Sequence, residues 1–300
     1  MATTTFEAGR RTGVRRWVGQ SVPYTLLVIS VLPIVIGYAW VIIATFSFRT
    51  EGLFPVDAEG NIGGWTLKNW VFLSDPLVWR ITLNSFGIAM GMVVGVGFVS
   101  TLTGYALARM NFRGRRLFLG STLILHAFRP EMLLIAIFFV LQFIGGLPAI
   151  GSLFGFNTVG GVALVMVALE LPLGVWLMKG FFDNIPWDME RAALIDGASR
   201  FRVWWQVILP QIRPGIAALA IFTFITGWSA YLIPFTFTIG STSSNLAIYI
   251  NQLSTSDIAP VHWSQVAAVG LFQLVPVMIF FIFTQEMLLN IYSGGAKGGT

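Results

Sequence analysis

Six long apolar runs, separated by segments that hold nearly all of the charge, leave this chain few ways to fold. They cover about Tyr24 to Phe48, Ile81 to Leu107, Leu117 to Ile144, Val159 to Phe181, Ile216 to Ile239 and Trp263 to Leu289. Each exceeds the roughly 20 residues that a helix needs to cross the hydrocarbon of a bilayer. In hydrocarbon a segment must satisfy its own backbone hydrogen bonds, so runs of this length become helices. The composition agrees: 56% of residues are hydrophobic and only 10% charged, with a mean hydropathy of +0.78. The expectation is an all-α membrane protein with six transmembrane helices. The chain has no Cys, which excludes a disulfide scaffold and a zinc–thiolate site, and its two His, His126 and His262, lie far apart. No metal site is expected. A net charge of +5 scattered over the chain does not suit a nucleic-acid partner.

Basic residues give the orientation. Arg10, Arg11, Arg15 and Arg16 precede the first run, which is too long for a signal peptide and lacks an A-x-A cleavage site. With that end in the cytoplasm, the inner segments also hold Arg109, Arg113, Arg115, Arg116, Lys179, Arg191, Arg200, Arg202, Arg213 and Lys297. The outer ones hold only Arg49, Lys68 and Arg80. The positive-inside rule then places both termini in the cytoplasm. The expected organisation is a cytoplasmic segment 1–23, a membrane domain 24–289 with an outer loop at about 49–79, and a cytoplasmic tail 290–300.

Pro33, Pro130, Pro172, Pro234 and Pro276 interrupt the runs, which suits a bundle that lines a pathway. Gly91, Gly95 and Gly97 give the second run a small surface for close helix packing. Three charges fall inside runs: Arg129 and Glu131 in the third, Glu170 in the fourth. A lone charge in the bilayer centre is costly. Arg129 is therefore expected to pair with Glu170, or Glu131 and Glu170 to face a pathway.

The segment at about 182–210 is the most informative. It reads Asn184-Ile-Pro-Trp-Asp-Met-Glu-Arg-Ala-Ala-Leu-Ile-Asp-Gly-Ala-Ser-Arg. Pro186, Asp188 and Glu190 suit a helix start, Ala192 and Ala193 a face of little bulk, and Gly197 a sharp reversal. Ser199 can cap a second short helix whose Phe201, Trp204, Trp205 and Ile208 pack at the membrane surface. A cytoplasmic helix with a smooth face and a forced turn suits docking into another protein's cleft.

Glu190-Arg-Ala-Ala-Leu-Ile-Asp-Gly-Ala, followed by Ile208-Leu-Pro210, resembles the "EAA" loop of binding-protein-dependent ABC transporter permeases. Supporting stretches are Trp65-Thr-Leu-Lys-Asn-Trp, Asn84-Ser85, Gly104-Tyr-Ala-Leu-Ala-Arg109, Phe112-Arg-Gly-Arg-Arg and Trp176-Leu-Met-Lys-Gly-Phe-Phe. The tail Gly294-Gly-Ala-Lys-Gly298 adds to them. The flanks are similar to the carbohydrate branch, in particular the smaller permease of maltose-type and glycerol-phosphate-type importers. Two features depart from the pattern: Arg191 where Ala is usual, and Trp228-Ser-Ala-Tyr231 where many members read Trp-Asn-Asp.

The resemblance implies a type I ABC importer permease. A second permease, two ATPase subunits and an extracytoplasmic solute-binding protein would be its partners in a bacterial or archaeal cytoplasmic membrane, with a sugar as substrate. It implies that Glu190, Ala192, Ala193, Asp196 and Gly197 couple to the ATPase, and that the tail reaches between the ATPase subunits. Asn245, Tyr249, Asn251 and Gln252 of the outer loop at about Gly240 to His262 would contact the binding protein. Trp228 and Tyr231 join Arg129, Glu131 and Glu170 as pathway candidates. No G-x-x-x-x-G-K-[ST] loop occurs, so ATP and Mg are expected on the partner and no cofactor on this chain. A permease for a non-sugar solute and an ion-coupled secondary transporter are the alternatives. The latter would leave the EAA loop without a purpose, and a membrane-embedded enzyme would lack a nucleophile with a base.

Overall fold

The computed structural model describes residues 5–51, 54–57, 59–238, 242–255 and 261–295, with side chains between residues 23 and 287. In chain order the helices are α1 (Thr5–Thr45), α2 (Pro76–Arg109), α3 (Arg115–Ala127), α4 (Leu134–Gly145), α5 (Gly151–Phe154), α6 (Val159–Asp183) and α7 (Trp187–Ile195). They continue as α8 (Arg200–Arg202), α9 (Leu209–Gln211), α10 (Arg213–Trp228), α11 (Leu232–Phe237), α12 (Leu246–Ser254) and α13 (Trp263–Gly295). Two three-residue strands, β1 (Arg49–Glu51) and β2 (Phe54–Val56), form one antiparallel hairpin. The chain divides into two compact units, Met1–Val71 with His262–Leu271, and Phe72–Val261 with Phe272–Thr300.

In the first unit, α1 leaves Tyr24, Leu27, Ile34 and Val35 exposed, an apolar surface suited to lipid. The hairpin then returns the chain, with Arg49 opposite Val56 and Glu51 opposite Phe54. Asn69 Nδ2 donates to the carbonyls of Thr45 and Ser47 and ties the loop to the end of α1. The Asp57 carboxylate accepts the N–H groups of Asn61 and Glu59, which holds its carboxyl below the usual range.

In the second unit the central pair is α2 against α6. A Cβ on Gly95 would stand 2.8 Å from Val167 Cγ2, and one on Gly104 2.9 Å from the backbone nitrogen of Lys179. At Gly104 the obstacle is backbone, so only glycine permits so close an approach, whereas at Gly95 it is the Val167 side chain. Gly91 lies against Ala163, whereas Gly97 meets nothing within 4 Å. Of the three small residues read on this run, two serve the packing and Gly97 does not. α10 lies against α2, with Gly227 over Ala89 and Met92.

Four helices are long and apolar enough to cross a membrane, and up to six if each of two bent pairs counts as one span. The third span is such a pair, and here the expectation of one continuous helix fails. It breaks after Ala127 and resumes at Pro130 with a bend of 94°. Pro130 is the cause. Its ring disfavours helical backbone at the preceding residue, and Arg129 is extended at φ −70°, ψ 137°. The second bent pair is Arg200–Gln211 with α10, at 79°, and the fifth apolar run itself falls into α10 and α11, separated at Ser229 to Tyr231. The second span starts earlier than hydropathy suggests, because Asp75 Oδ1 caps α2 by accepting from Leu77 N at 2.8 Å.

Candidate functional site

After α6 ends at Asp183, Pro186 takes the position before α7 with φ −57° and ψ 136°. α7 closes as a Schellman turn: Ala198 N donates to Ala193 O and Gly197 N to Leu194 O. That closure needs a left-handed residue, and Gly197 supplies it at φ +83°. Ser199 Oγ then accepts from Arg202 N. The chain continues through a π-helical turn at Val203–Ile208. Trp204 and Ile208 turn into the core while Phe201 and Trp205 stay exposed.

Glu190 does not face outward. It is 3% exposed, and its carboxylate reaches back to the last turn of α2. Tyr105 Oη donates to Glu190 Oε1 at 2.7 Å. Arg109 Nε stands 3.1 Å from Glu190 Oε2, an ion pair without hydrogen-bond alignment. The same guanidinium donates from Nη2 to the Ile185 carbonyl at 2.8 Å and lies 4.5 Å over the Trp187 ring. Tyr105 and Arg109 are four residues apart and so share one face of α2. This knot fixes the start of α7 at both its flanking loop and its first turn.

The outward surface of α7 differs from the expected pair of alanines. Ala193 is half-buried and packs on the inner core with Met189 and Ala198. Arg191, Ala192, Leu194, Ile195 and Asp196 are exposed, and Ile195 is 85% accessible. A helix of 3.6 residues per turn cannot present adjacent residues equally, and Glu190 anchors the opposite side.

Of the pathway candidates, Arg129 and Glu131 sit at the bend between α3 and α4 and are exposed. The expected ion pair between Arg129 and Glu170 is absent; the break before Pro130 removes Arg129 from the span. Glu170 is half-buried in α6, and its buried Oε2 has no hydrogen-bond partner. Its ionisable neighbour is His126, in the last turn of α3. Trp228 is a core residue rather than a pathway one: 1% exposed, stacked on Phe224, its Nε1 donating to Gln273 O. Tyr231 Oη donates to Asn251 Oδ1 at 3.0 Å.

The outer-loop residues divide similarly. Asn245 is fully buried, so it is no contact for a docked protein. Its Nδ2 donates to Ala230 O at 2.7 Å, where the break after α10 frees a carbonyl, and its Oδ1 caps α12 through Ile248 N. Asn84 Nδ2 donates to Thr242 O and Ser244 O, and Ser85 Oγ accepts from Leu246 N. Asn251 is engaged by Tyr231 and Gln252 is exposed. Burial, with the nearby Asp75 charge, pushes the Tyr249 phenol up, so it stays neutral. Residues 239–241, 256–260 and 296–300, including part of the outer loop and Lys297 of the tail, lie outside the described residues.

Residues 100–288 match the family of binding-protein-dependent transport system inner membrane components. The chain belongs to this family. The permease is 31% identical over 281 residues to the maltodextrin transport system permease protein MdxG of Bacillus subtilis, covering 92% of this chain and 95% of that one. It is 28% identical over 276 residues to the diacetylchitobiose uptake system permease protein NgcG of Streptomyces coelicolor, covering 92% and 88%. Its fold is similar to a chain of a bacterial ABC transporter involved in the import of the acidic polysaccharide alginate, with a TM-score of 0.73 over 90% of this chain and 96% of that one at 18% identity.

The permease thus carries its EAA segment within the matched region, folded as a helix, a Schellman turn and a capped second helix. Sequence reasoning missed the partners of Glu190. Tyr105 and Arg109 were visible as a polar i, i+4 pair at the end of an apolar run, and such a pair calls for a buried acceptor. Nothing in the spacing said that the acceptor lay 80-odd residues away.

Proposed function

We propose that this permease is one of two transmembrane subunits of an ATP-driven importer for an oligosaccharide, with α7 as its coupling helix. The observation that carries the reading is the inner knot: a short helix pinned by its buried Glu190 to α2, with a free outer face of Ala192, Leu194, Ile195 and Asp196. A helix fixed on one side and smooth on the other transmits displacement of whatever docks on it to the span behind. The docking partner is an ATPase subunit, two of which hold ATP and Mg while this chain binds neither. A solute-binding protein delivers substrate to the outer side, where Gln252 and the end of α12 are the exposed candidates. Both termini lie in the cytoplasm, as the basic residues indicate. The sugar class rests on relatives named for maltodextrin and diacetylchitobiose.

The test is Ile195→Asp in the assembled transporter. A buried charge at the centre of a docking face removes roughly tenfold or more in affinity. ATPase retained on the purified permease and uptake of a labelled maltodextrin into liposomes should both fall, with folding of the permease unchanged. Full ATPase retention and uptake would refute the assignment of α7. Uptake of an amino acid in place of any oligosaccharide would refute only the substrate.

A further inference from the structure

The loop between α2 and α3 and the inner end of α6 enclose a cavity of about 510 Å³. Its walls include Asn111, Phe112, Arg115, Arg116, Leu117 and Lys179. Lys179 is paired with Asp183 one turn on, but among the described residues the side chains of Arg115 and Arg116 have no ion pair or hydrogen bond. Two guanidinium groups therefore face the cavity with their charge uncompensated, and Arg113 adds a third exposed cation to the same loop. Leu117 is 79% and Phe112 48% exposed in the same wall. Cations beside uncovered apolar side chains, at the end of two apolar spans, match the two halves of one kind of molecule: an anionic head with a hydrocarbon body.

We infer that this cavity holds the headgroup of an anionic phospholipid, with Arg115 and Arg116 on its phosphate and Leu117 and Phe112 against its acyl chains. Guanidinium forks bind phosphate oxygens in paired, charge-assisted hydrogen bonds. Basic pockets between spans are a known setting for such headgroups. A zwitterionic lipid offers the same phosphate but brings its own cation, which Arg115 and Arg116 repel. Asn111 supplies a neutral donor for a glycerol hydroxyl at the rim.

The test uses the full permease in detergent micelles, titrated with phosphatidylglycerol and read by native mass spectrometry. Phosphatidylcholine with the same acyl chains and soluble glycerol phosphate are titrated in parallel. Wild type should prefer phosphatidylglycerol, and Arg115→Gln with Arg116→Gln should weaken that binding about 30-fold. Arg115→Lys with Arg116→Lys should keep most of it. These side chains have no internal partners, so the variants should fold, and circular dichroism checks that they do. Equal binding of phosphatidylglycerol by wild type and the Gln pair would overturn the site and leave the arginines to an acidic protein surface. No preference over phosphatidylcholine would overturn the charge argument. Glycerol phosphate binding as tightly as the lipid would overturn the lipid in favour of a soluble phosphate ester. Micelles have no sides and no ATPase is present, so this outcome is independent of the coupling assignment.

Discussion

Glu190 and Arg109 form a buried ion pair in the described core. Their side chains are 4% and 2% accessible, so each depends on the other for compensation. Removing one member of a buried pair leaves the other desolvated, at a cost of about 3 kcal/mol or more. Glu190→Gln is therefore expected to lower the thermal stability of the purified permease markedly. Replacing the whole knot with apolar groups (Tyr105→Phe, Arg109→Met and Glu190→Leu together) should recover most of it, because no polar group is then stranded. Arg109→Lys should not behave as a conservative change. The ammonium keeps the charge but cannot bond Glu190 and Ile185 while lying flat on Trp187. A melting curve for Glu190→Gln that overlays wild type would show that the carboxylate is dispensable to the fold.

Among elements, the contact between α2 and α6 gives the clearest contrast. At Gly104 a side chain would collide with the backbone of Lys179 and with Met178, neither of which is the free end of a flexible chain. Gly104→Val should force the helices apart at a cost of about 1–3 kcal/mol. Gly97→Val, seven residues earlier on the same helix and facing open space, is the matched control and should be near neutral. Equal melting temperatures for the two would remove the close approach as a source of stability. The same elements decide how much was legible from sequence. Apolar runs coincide with the four long apolar helices, and Gly197, Ser199 and Asp188 outlined the EAA turn, because those signals are local. The bend at Pro130 was legible only as a kink: a hydropathy window averages across it, while the restriction on Arg129 acts on one residue. Asn245 was misplaced for a related reason. A polar residue in an outer loop reads as solvated, yet the break after α10 creates a buried carbonyl that needs a donor, and only the fold brings the two together.

For the molecule as a whole, α2 is latched at both ends. At the end near α12 Asn84 and Ser85 hold Thr242, Ser244 and Leu246, and at the other end Tyr105 and Arg109 hold α7. From Ser85 to Tyr105 the helix rises roughly 30 Å, about the thickness of the hydrocarbon core. Between the latches it packs against α6 and α10, where Met92 and Val96 are fully buried. A stiff helix tied at both ends moves both ends together, so under the proposed function docking of a binding protein near α12 and displacement of α7 are expected to be one motion. Spatial continuity alone does not establish coupling; a double-mutant cycle does. Asn84→Ala releases the latch to α12 and Tyr105→Phe loosens the latch to α7 by a single hydroxyl. Each alone should lower the ratio of binding-protein-stimulated to basal ATP hydrolysis in the reconstituted transporter. If α2 is the shared element, the pair should lower the ratio little further than the worse single change, because once one end is loose the other has nothing to transmit. Sites this far apart with independent roles would instead multiply their effects, and that result would break the connection between the two latches.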